Sequence, residues 1–372
     1  MELYIHIPFC ARKCAYCDFL SFANRLDSAE EYKRALFRDV TAHGGIAMGE
    51  KPTVETIYIG GGTPSLMREG FYEELMAKVR DAFTVLPGAE ISMECNPGTV
   101  TKEKLREYKE AGINRLSFGA QSANSSELSV ISRIHDWSEV EASVRMARDE
   151  GFDNINLDLM MNLPGQTCEG FCETLRAAVS LAPEHISAYS LIVEPGTPFY
   201  ERYESHPELL PSEEEACRTY ETAVKMLDEA GYAQYEISNF AKPGRECRHN
   251  IGYWKRDEYL GLGLGAASLI GEKRYAVTRD FEAYLSNCVY DSEESLSADE
   301  IRNETIILGL RMNEGISLSD YEKRFGTEAA ERFTGKFKRF CNLKLAAKEG
   351  DRFCLTLRGF LVSNTILADL MD

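Results

Sequence analysis

Hydrophobic positions in the first half of the chain alternate between short apolar runs and longer stretches with helical spacing. The short runs predict strands, and the stretches between them predict amphipathic helices. Strands and helices in strict alternation predict parallel strands joined by right-handed crossovers. The predicted strands cover residues 3–6, 56–59, 90–94, 115–118, 154–160 and 185–191. The predicted helices cover residues 29–43, 71–83, 101–111, 137–150 and 169–181.

The helix predicted at residue 29 follows the segment Ser28-Ala29-Glu30-Glu31, which has the spacing of a capping box. Six strand-and-helix units of this kind predict an α/β fold, a partial (β/α)6 barrel. In that architecture, chemistry is expected at the carboxyl ends of the strands.

The pattern changes after about residue 210. A long helix is predicted over 213–230, followed by an apolar segment over 235–240. Helices over 302–311, 319–325 and 329–340, a strand over 353–357 and a last helix predict a small helical or winged-helix-like domain. We therefore expect a barrel over 1–210, an extension of it over 211–296, and a carboxyl-terminal domain over 297–372.

Charge and composition narrow the range of partners. The chain has 372 residues, with 42 basic against 60 acidic side chains, and a formal net charge of −18. This surplus of carboxylate disfavours nucleic acid and anionic membrane surfaces as partners. No apolar run approaches the ~20 residues of a transmembrane segment, and the amino terminus does not resemble a signal peptide. Eleven cysteines, an odd number, favour a reducing compartment, so a cytoplasmic location is expected.

Three cysteines stand close together near the amino terminus. Cys10, Cys14 and Cys17 have the spacing C-x3-C-x2-C. Three thiolates on one loop can hold three irons of a [4Fe–4S] cluster and leave the fourth iron open to a small ligand. Structural zinc, the alternative, normally takes four protein ligands, and no second cysteine pair stands near. The remaining cysteines are scattered and are expected to be small buried or half-exposed residues: Cys95, Cys168, Cys172, Cys217, Cys247, Cys288, Cys341 and Cys354.

Polar residues and glycines follow several of the predicted strands. Gly60-Gly61-Gly62-Thr63-Pro64-Ser65 ends the second strand, and glycine lets a backbone approach a ligand closely. Glu94 ends the third strand, and Gln121, Arg133 and Asp158 belong to the next strands or the loops after them. Arginine suits a carboxylate, while the acid and the amide suit hydroxyl or ammonium groups. Each of these residues alone is more often structural, so their shared edge of the sheet carries the argument.

These motifs together resemble the radical S-adenosylmethionine (SAM) superfamily, and within it the group related to oxygen-independent coproporphyrinogen III oxidase. The resemblance rests on four segments, which read Ile5-His6-Ile7-Pro8-Phe9-Cys10, Gly60-Gly61-Gly62-Thr63-Pro64-Ser65, Leu163-Pro164-Gly165-Gln166-Thr167 and Glu194-Pro195-Gly196-Thr197. It implies that the open iron of the cluster takes the amino and carboxylate groups of SAM. The SAM-binding positions that it implies are Tyr4, Tyr16, Gly61, Gly62, Thr63, Glu94, Gln121, Arg133 and Asp158. For Tyr16, shielding of the cluster and plain packing both remain open.

This group contains true oxidases, which decarboxylate a porphyrinogen, and HemW-type heme chaperones. The oxidases resemble one another in a further cysteine two residues after the third, where this chain has Phe19. They also carry an extension ahead of the cluster loop, whereas nine residues precede Cys10 here. Both differences favour the chaperones.

A second motif points the same way. His249, Asn250, Tyr253 and Trp254 form H-N-x-x-Y-W, which is similar to the signature of the heme chaperones. An imidazole can ligate heme iron, and the aromatic rings can stack on the macrocycle. The alternative is that the histidine and asparagine brace a loop against the barrel. Cys247 is a further candidate ligand, supported only by its proximity in the sequence.

The resemblance therefore implies a cytoplasmic heme chaperone that binds heme and a SAM-ligated [4Fe–4S] cluster and delivers heme to membrane respiratory haemoproteins. The alternative is a radical SAM oxidase that abstracts hydrogen from porphyrinogen propionates before decarboxylation. The same SAM-binding positions would serve both, and no catalytic residue is assigned. A homodimer is left open. The glycines at 261, 263 and 265 lack the G-x-G-x-x-G spacing, which disfavours a nicotinamide site.

Overall fold

The computed structural model of the protein describes residues 1–44, 51–287 and 290–371. Six parallel strands follow the predicted order. Five of them extend one to six residues beyond the predicted range at one end or both, and the sixth ends one residue earlier than predicted. They are β1 (Glu2–Ile7), β2 (Thr53–Gly61), β3 (Thr84–Cys95), β4 (Arg115–Gln121), β5 (Ile155–Met161) and β6 (His185–Ser190). The helices between them are α1 (Ala29–His43), α2 (Phe71–Ala82), α3 (Lys102–Ala111), α4 (Ser125–Val130), α5 (Trp137–Asp149) and α6 (Cys168–Ser180).

The two faces of these strands differ sharply. On β1, Leu3, Ile5 and Ile7 are fully buried and pack in the main hydrophobic core. Successive side chains point to opposite faces of a strand, so the residues between them occupy the inner face of the barrel, and these are polar. Register pairs Glu2 with Thr56 across β1 and β2. The outer face therefore supplies the stability of the barrel and the inner face is left for chemistry.

The sheet continues beyond the six strands on both sides. The further strands are β7 (Ala233–Glu236), β8 (Asn239–Ala241), β9 (Tyr259–Leu262), β10 (Ala267–Ile270), β11 (Lys273–Val277) and β12 (Tyr290–Ser295). The strand order is β12-β11-β10-β9-β1-β2-β3-β4-β5-β6-β8-β7, with β9 parallel to β1 and the other added pairs antiparallel. The sheet ends at β12 and β7 and does not close, so the predicted partial barrel is confirmed.

Four helices accompany this extension: α7 (Pro198–Tyr203), α8 (Glu213–Glu229), α9 (Arg248–Lys255) and α10 (Phe281–Ser286). The helix predicted over 213–230 corresponds to α8. Helix α9, which carries the H-N-x-x-Y-W motif, precedes β9, and its neighbours in space are β2 and the helix at residue 298.

The carboxyl-terminal unit combines helices with a three-stranded antiparallel sheet, of which the sequence predicts only one strand. Its elements are α11 (Ala298–Gly309), β13 (Ile316–Ser317), α12 (Leu318–Phe325), α13 (Thr327–Asn342), β14 (Ala346–Glu349), β15 (Arg352–Leu355), α14 (Leu357–Leu361) and α15 (Ser363–Leu370). Backbone hydrogen bonds tie this unit to the edge of the barrel. The amide of Ile237 donates to the carbonyl of Arg311 at 3.0 Å, and the amide of Asn313 donates to the carbonyl of Tyr235 at 3.0 Å.

The capping box predicted at Ser28 is wrong, although the helix does begin at Ala29. Ser28 closes a short 3-10 turn with ψ near 6°, and its hydroxyl caps nothing. An N-cap side chain reaches the following amides from an extended backbone, which this turn does not provide. Asp136 with Glu139, and Ser297 with Glu300, form the complete capping boxes of α5 and α11.

Across the described ranges, no helix is both long and apolar enough to pass through a bilayer. Of the cysteines named above, Cys288 lies outside the described residues. The others outside the amino-terminal loop are buried or half-buried free thiols, as expected.

Candidate functional site

The cysteine loop leaves the carboxyl end of β1 and is held at both ends by backbone hydrogen bonds. The amide of Cys10 donates to the carbonyl of Phe22 at 3.1 Å, and the amide of Phe22 donates to Pro8 at 2.7 Å. Within the loop, the amide of Cys17 donates to Cys14 at 3.2 Å. All three cysteines are half-buried, so the loop presents its thiols at the edge of the barrel where chemistry is expected.

Two of these thiols are joined by a polar chain that crosses the strand ends. Thr63 donates its hydroxyl to Cys10 Sγ at 3.7 Å and accepts from Asn96 Nδ2 at 3.0 Å. Arg133 donates through Nη2 to Asn96 Oδ1 at 3.0 Å and through Nη1 to Cys14 Sγ at 3.7 Å. Donors and a cation beside a thiolate stabilise its negative charge and tune a bound cluster.

Asn96 is the member of this chain that sequence reasoning missed. It follows β3 in the segment Glu94-Cys95-Asn96-Pro97. A polar residue placed directly after a strand and before a proline was the available signal, since proline ends the strand there.

The donor set fits an iron–sulfur cube better than a single ion. Within the described residues, no three His, Cys, Asp or Glu side chains converge as one metal ion requires. The three thiolates of a cluster bind three different irons, so they do not have to converge on one point. Burial raises the pKa of the Cys17 thiol to about 11. Binding of iron would therefore release its proton.

The glycine turn after β2 is shaped by its contacts with β1. A Cβ at Gly62 would stand 2.6 Å from the carbonyl oxygen of Phe9, and Gly61 has φ near +119° beside the ring of His6. The amides of Gly62 and Thr63 donate to Ile7 at 2.8 Å and to Phe9 at 2.7 Å. An ammonium group only donates hydrogen bonds, so a ligand ammonium would meet the carbonyl oxygens of the turn. Backbone proximity to β1 explains the glycines without reference to a ligand.

Glu94 lies at the centre of the inner face. Its carboxylate accepts from the amide of Gly61 at 3.0 Å and from the hydroxyl of Tyr58 at 3.1 Å. Burial, and next the nearby carboxylate of Asp158, raise the pKa of Glu94 to about 7. An acid that titrates near neutrality in this position can hold a proton or accept a hydrogen bond from an ammonium or hydroxyl group.

Gln121, Arg133 and Asp158 do meet on one face, around Gly119. Arg133 donates to the carbonyl of Gly119, and a Cβ at this glycine would stand 2.5 Å from Arg133 Nη2 and 3.0 Å from Gln121 Nε2. Asp158 is the cross-strand partner of Gly119 and accepts from Ser117 at 2.8 Å. Gln121 has φ near +64°, a strained backbone of the kind that clusters at functional sites.

The two tyrosines among the predicted SAM positions occupy different surroundings. Tyr16 lies on the cysteine loop and packs edge-on against Phe199, with ring centroids 6.3 Å apart. Burial raises its pKa, and Arg133 and Cys14 are among its charged neighbours. Tyr4 lies on the inner face of β1, with its hydroxyl 3.0 Å from His6 Nδ1. Both residues border the site, and their contact with SAM stays a prediction.

Helix α9 closes the barrel at the amino ends of the strands, opposite the cysteine loop. Its first turn is capped by a strand residue: Glu90 accepts from the amides of Arg248 and His249 at 3.2 and 3.3 Å and from Cys247 Sγ at 3.5 Å. Burial raises the pKa of Cys247 to about 12. Cys247 is therefore a neutral, hydrogen-bonded thiol in this arrangement. The inner-face role of Glu90 and of the buried Arg115 beside it was not predicted.

His249 has the environment of an oriented imidazole. Its Nδ1 lies 2.7 Å from the Thr56 hydroxyl and 3.0 Å from Glu2 Oε2. A carboxylate beside Nδ1 favours the tautomer with its proton there, which leaves a lone pair on Nε2. Nε2 is buried and has no partner within the described residues. The side chain is only 1% exposed, so a ligand reaches it only after a neighbour moves.

The other members of the motif surround this histidine. Tyr253 packs edge-on against His249, with centroids 4.8 Å apart, and against Tyr259, with centroids 4.6 Å apart. Trp254 faces the carboxyl-terminal unit, where the guanidinium of Arg311 lies 4.7 Å from its ring centroid. Asn250 is half-buried. The bracing role left open for this motif is therefore present in the structure, together with an unpartnered imidazole nitrogen.

Comparison with known proteins agrees with this geometry. Residues 4–178 match the model of the radical SAM superfamily, and residues 296–362 match the model of the HemN C-terminal domain. The heme chaperone HemW of Bacillus subtilis (strain 168) is 36% identical over 98% of this chain and 97% of its own length. The chain belongs to the HemW family. The HemW of Mycobacterium tuberculosis (strain H37Rv) is 33% identical over 99% of this chain and 94% of that protein.

Membership of the HemW family also accounts for the structural likeness to an oxidase. The coproporphyrinogen III oxidase HemN of Escherichia coli, a radical SAM enzyme, superposes with a TM-score of 0.86 at 25% identity, over all of this chain and 89% of that one. The radical SAM superfamily uses SAM and a [4Fe–4S] cluster, so the match to its model implies these cofactors for the chain. The individual contacts remain predictions.

Proposed function

We propose that this chain is a heme chaperone that holds SAM on a [4Fe–4S] cluster, binds heme and passes it to respiratory haemoproteins. The observation that carries the proposal is similarity along the whole chain to proteins named as heme chaperones, at 36% identity over 98% of the chain for one of them. The acceptor proteins are part of the proposal through the family alone. A homodimer, left open by the sequence, belongs with it.

In this proposal Cys10, Cys14 and Cys17 hold the cluster, and Thr63 and Arg133 stabilise the charge of two of the thiolates. When bound, the cluster and SAM supply a redox-active and structural centre. Glu94, Gln121 and Asp158, with the carbonyls of the glycine turn, would orient the ammonium and ribose groups of SAM. The support for this assignment is that these groups share the carboxyl ends of β2 to β5.

His249 is proposed as the heme ligand, with Asn250, Tyr253 and Trp254 forming its surroundings. The support is the contact of Nδ1 with Glu2 at 3.0 Å and the unpartnered Nε2. Because the imidazole is buried, heme binding would require displacement of Tyr253. A buried ligand reached by a side-chain movement fits a carrier that has to release its cargo.

The test of heme binding is a titration with hemin, followed by the Soret band, in the wild type and in His249→Ala. We expect saturable binding in the wild type and a shifted, weakened Soret band in the variant. His206→Ala, which removes an exposed histidine, is the control and should behave as the wild type. Unchanged affinity and an unchanged band in His249→Ala would remove His249 as a ligand.

The oxidase remains the second candidate because the fold of HemN covers the whole chain. Its test is anaerobic incubation of the reconstituted protein with SAM, a reductant and coproporphyrinogen III, followed by analysis for the decarboxylated vinyl product. We expect none. Appearance of that product would overturn the chaperone proposal, whatever the outcome of the hemin titration.

A further inference from the structure

A cavity of about 380 Å³ opens beside the H-N-x-x-Y-W motif, between the inner face of the sheet and α11. Its apolar wall consists of aliphatic side chains and tyrosine rings. They are Tyr4, Tyr253, Tyr259, Ala267, Leu269 and Leu308. The volume falls within the ordinary range of small-molecule sites, roughly 300–1,000 Å³. A wall of this kind suits a flat apolar ligand, since tyrosine rings offer large faces for stacking.

Two arginines line the same cavity and converge on one acid. Arg256 Nε donates to Glu304 Oε2 at 2.9 Å, and Arg274 donates through Nη2 to Glu304 Oε1. Arg274 has a second, distant carboxylate, Glu294, at 3.9 Å. The two guanidinium groups share one close carboxylate, and the long contact of Arg274 with Glu294 is the one that an anionic ligand would replace.

Arg256 itself is built for such a ligand. Its side chain is 3% exposed, and Nη2 is buried without a hydrogen-bond partner within the described residues. An unsatisfied donor on a buried cation is costly. Because Nη2 is shielded from the cavity, a carboxylate there would satisfy it by a charge-assisted hydrogen bond once a small movement of the side chain exposed it. The residue also has φ near +60°, a strained conformation for a residue other than glycine.

A single side chain, that of Tyr253, lies between the cavity and the imidazole of His249. Tyr253 lines the cavity on one side and packs against His249 on the other, with centroids 4.8 Å apart. Rotation of Tyr253 would therefore open a direct path from the cavity to the free Nε2 of His249. A ligand with an apolar ring, carboxylates at one edge and a metal at its centre would match the wall, the arginines and the imidazole together.

We propose that this cavity is the porphyrin-binding site, with the ring on Tyr253, Tyr259 and Leu308 and the propionates on Arg256 and Arg274. The inference rests on the proposed heme-chaperone function and adds the location and the recognition of the carboxylates. It assigns to Arg256 and Arg274 a binding role outside the H-N-x-x-Y-W motif. It also predicts that a porphyrin without iron binds here, because wall and arginines do not need the metal.

The experiment uses the full chain with two probes, hemin and metal-free protoporphyrin IX. Arg274→Gln replaces a half-exposed arginine with a shorter polar side chain that can still form hydrogen bonds, and it removes the charge. We expect it to weaken binding of both probes about tenfold or more, the cost of one charge-assisted hydrogen bond. Arg218→Gln, at an exposed surface arginine that pairs with Glu215, is the matched control and should bind as the wild type.

A second variant fills the space instead of changing the charge. Ala267 is an exposed alanine on β10 that lines the cavity, and Ala267→Trp should abolish saturable binding of both probes. Ala233→Trp, at an exposed alanine on β7 near the opposite edge of the same sheet, controls for the added ring. Far-UV circular dichroism of each variant checks that the fold is kept.

The outcomes separate the two proposals. If the wild type binds and His249→Ala loses only hemin while Ala267→Trp loses both probes, the cavity assignment stands. If the wild type binds both probes and Arg274→Gln and Ala267→Trp bind them equally well, the cavity assignment is overturned and the chaperone proposal is untouched. If the wild type binds neither probe, the chaperone proposal fails, and the cavity assignment fails with it.

Discussion

Three half-buried cysteines on one loop, tied by Thr63 and Arg133 to neighbouring strand ends, are the residues on which the cofactor assignment depends. The sulfur of Cys14 accepts from the guanidinium of Arg133 at 3.7 Å. A thiolate with such a neighbour binds iron in a preset position, whereas a hydroxyl in its place is a poor ligand for iron.

We therefore expect Cys14→Ser to lose the cluster. After anaerobic reconstitution, the variant should lack the broad absorption near about 400 nm that clusters of this type show. Cys217→Ser, which changes a half-buried thiol on α8, should keep it. Iron and sulfide retained at the level of the wild type in Cys14→Ser would show that the loop is misassigned.

Glu94 gives the site a pH dependence that stability measurements can detect. Burial raises its pKa from 4.5 to about 7, so between these values the folded state holds a proton that the unfolded state has released. Its stabilising contribution is therefore full below about pH 4.5 and is lost as the pH rises through 7. Glu94→Gln does not titrate and lacks this loss.

Between pH 5 and pH 8, the cluster-free wild type should lose about 2 to 3 kcal/mol of unfolding free energy relative to Glu94→Gln. Urea unfolding at each pH measures the difference. Glu73→Gln, at an exposed position of α2, is the matched control for the replacement of a glutamate by glutamine. A difference between the wild type and Glu94→Gln that does not vary with pH would show that the carboxylate of Glu94 is ionised throughout this range.

At the level of single residues, the sequence predicted the residue types of the site, and the edge of the sheet on which they lie, better than it predicted their contacts. Cys10, Arg133 and Asp158 could be chosen because a parallel sheet brings its carboxyl ends together. The polar chain through Asn96 could not, because it depends on side-chain directions at four separate loops. The role of Gly62 in ligand binding stays a prediction, and the sequence did not reveal that a Cβ there would stand 2.6 Å from the carbonyl oxygen of Phe9.

Helix α9 is the element for which the interpretation of the sequence and the observed structure differ most. The motif suggested an accessible heme ligand, but eight residues of helix lie over the amino ends of the strands with His249 buried. Hydrophobic periodicity could not show this, because the contacts that hold the first turn of α9 are polar and come from Glu2, Thr56 and Glu90. Strands β9 to β12 were missed because they are only four to six residues long, too short for a clear alternation of apolar and polar positions.

The anchoring of α9 by Glu90 leads to a prediction about stability. Glu90 caps α9, because Cys247 at the N-cap position makes no side-chain hydrogen bond to the helix. The carboxylate of Glu90 also faces the buried guanidinium of Arg115. Glu90→Ala should lower the free energy of unfolding by about 2 to 4 kcal/mol, since both the cap and a partner of a buried charge are lost. Urea denaturation followed by circular dichroism measures this.

The matched control is Thr101→Ala, which removes the hydroxyl cap of α3 at an exposed site. It should cost about 1 kcal/mol, because no buried charge depends on it. A loss for Glu90→Ala no larger than that of Thr101→Ala would show that Glu90 is only a cap and that Arg115 is stabilised by other groups.

At the scale of the whole molecule, α9 is held between two units that the sequence separates. The barrel contacts the first turn of α9 through Glu90. The carboxyl-terminal unit contacts the end of the helix through Arg311, which lies over the ring of Trp254, and through Glu304, which accepts from Arg256. The proposed porphyrin cavity lies at the same junction. Movement at this junction would change the shape of the cavity and the packing around His249, so we expect contact between the units to affect ligand access.

This coupling can be measured because the chain has two tryptophans, Trp137 and Trp254. In a Trp137→Phe background, fluorescence reports only on the ring that stacks with Arg311 at 4.7 Å. We expect the fluorescence and the far-UV circular dichroism to change at the same urea concentration, because backbone hydrogen bonds at Ile237 and Asn313 join the two units. Coincident transitions by two probes are the mark of cooperative unfolding.

In the Trp137→Phe background, Arg311→Ala should lower the free energy of unfolding by about 1 kcal/mol, the usual value of a cation–π contact. The shared urea midpoint should fall accordingly, and the two transitions should still coincide. Arg324→Ala is its control, since that guanidinium lies 5.3 Å from the ring of Phe325 within the carboxyl-terminal unit. It should lower the midpoint without a change in the emission of folded Trp254. In the protein that carries Trp137→Phe alone, the fluorescence of Trp254 could change at a lower urea concentration than the circular dichroism. That result would show that the units separate before the barrel unfolds and that α9 is held by the barrel alone.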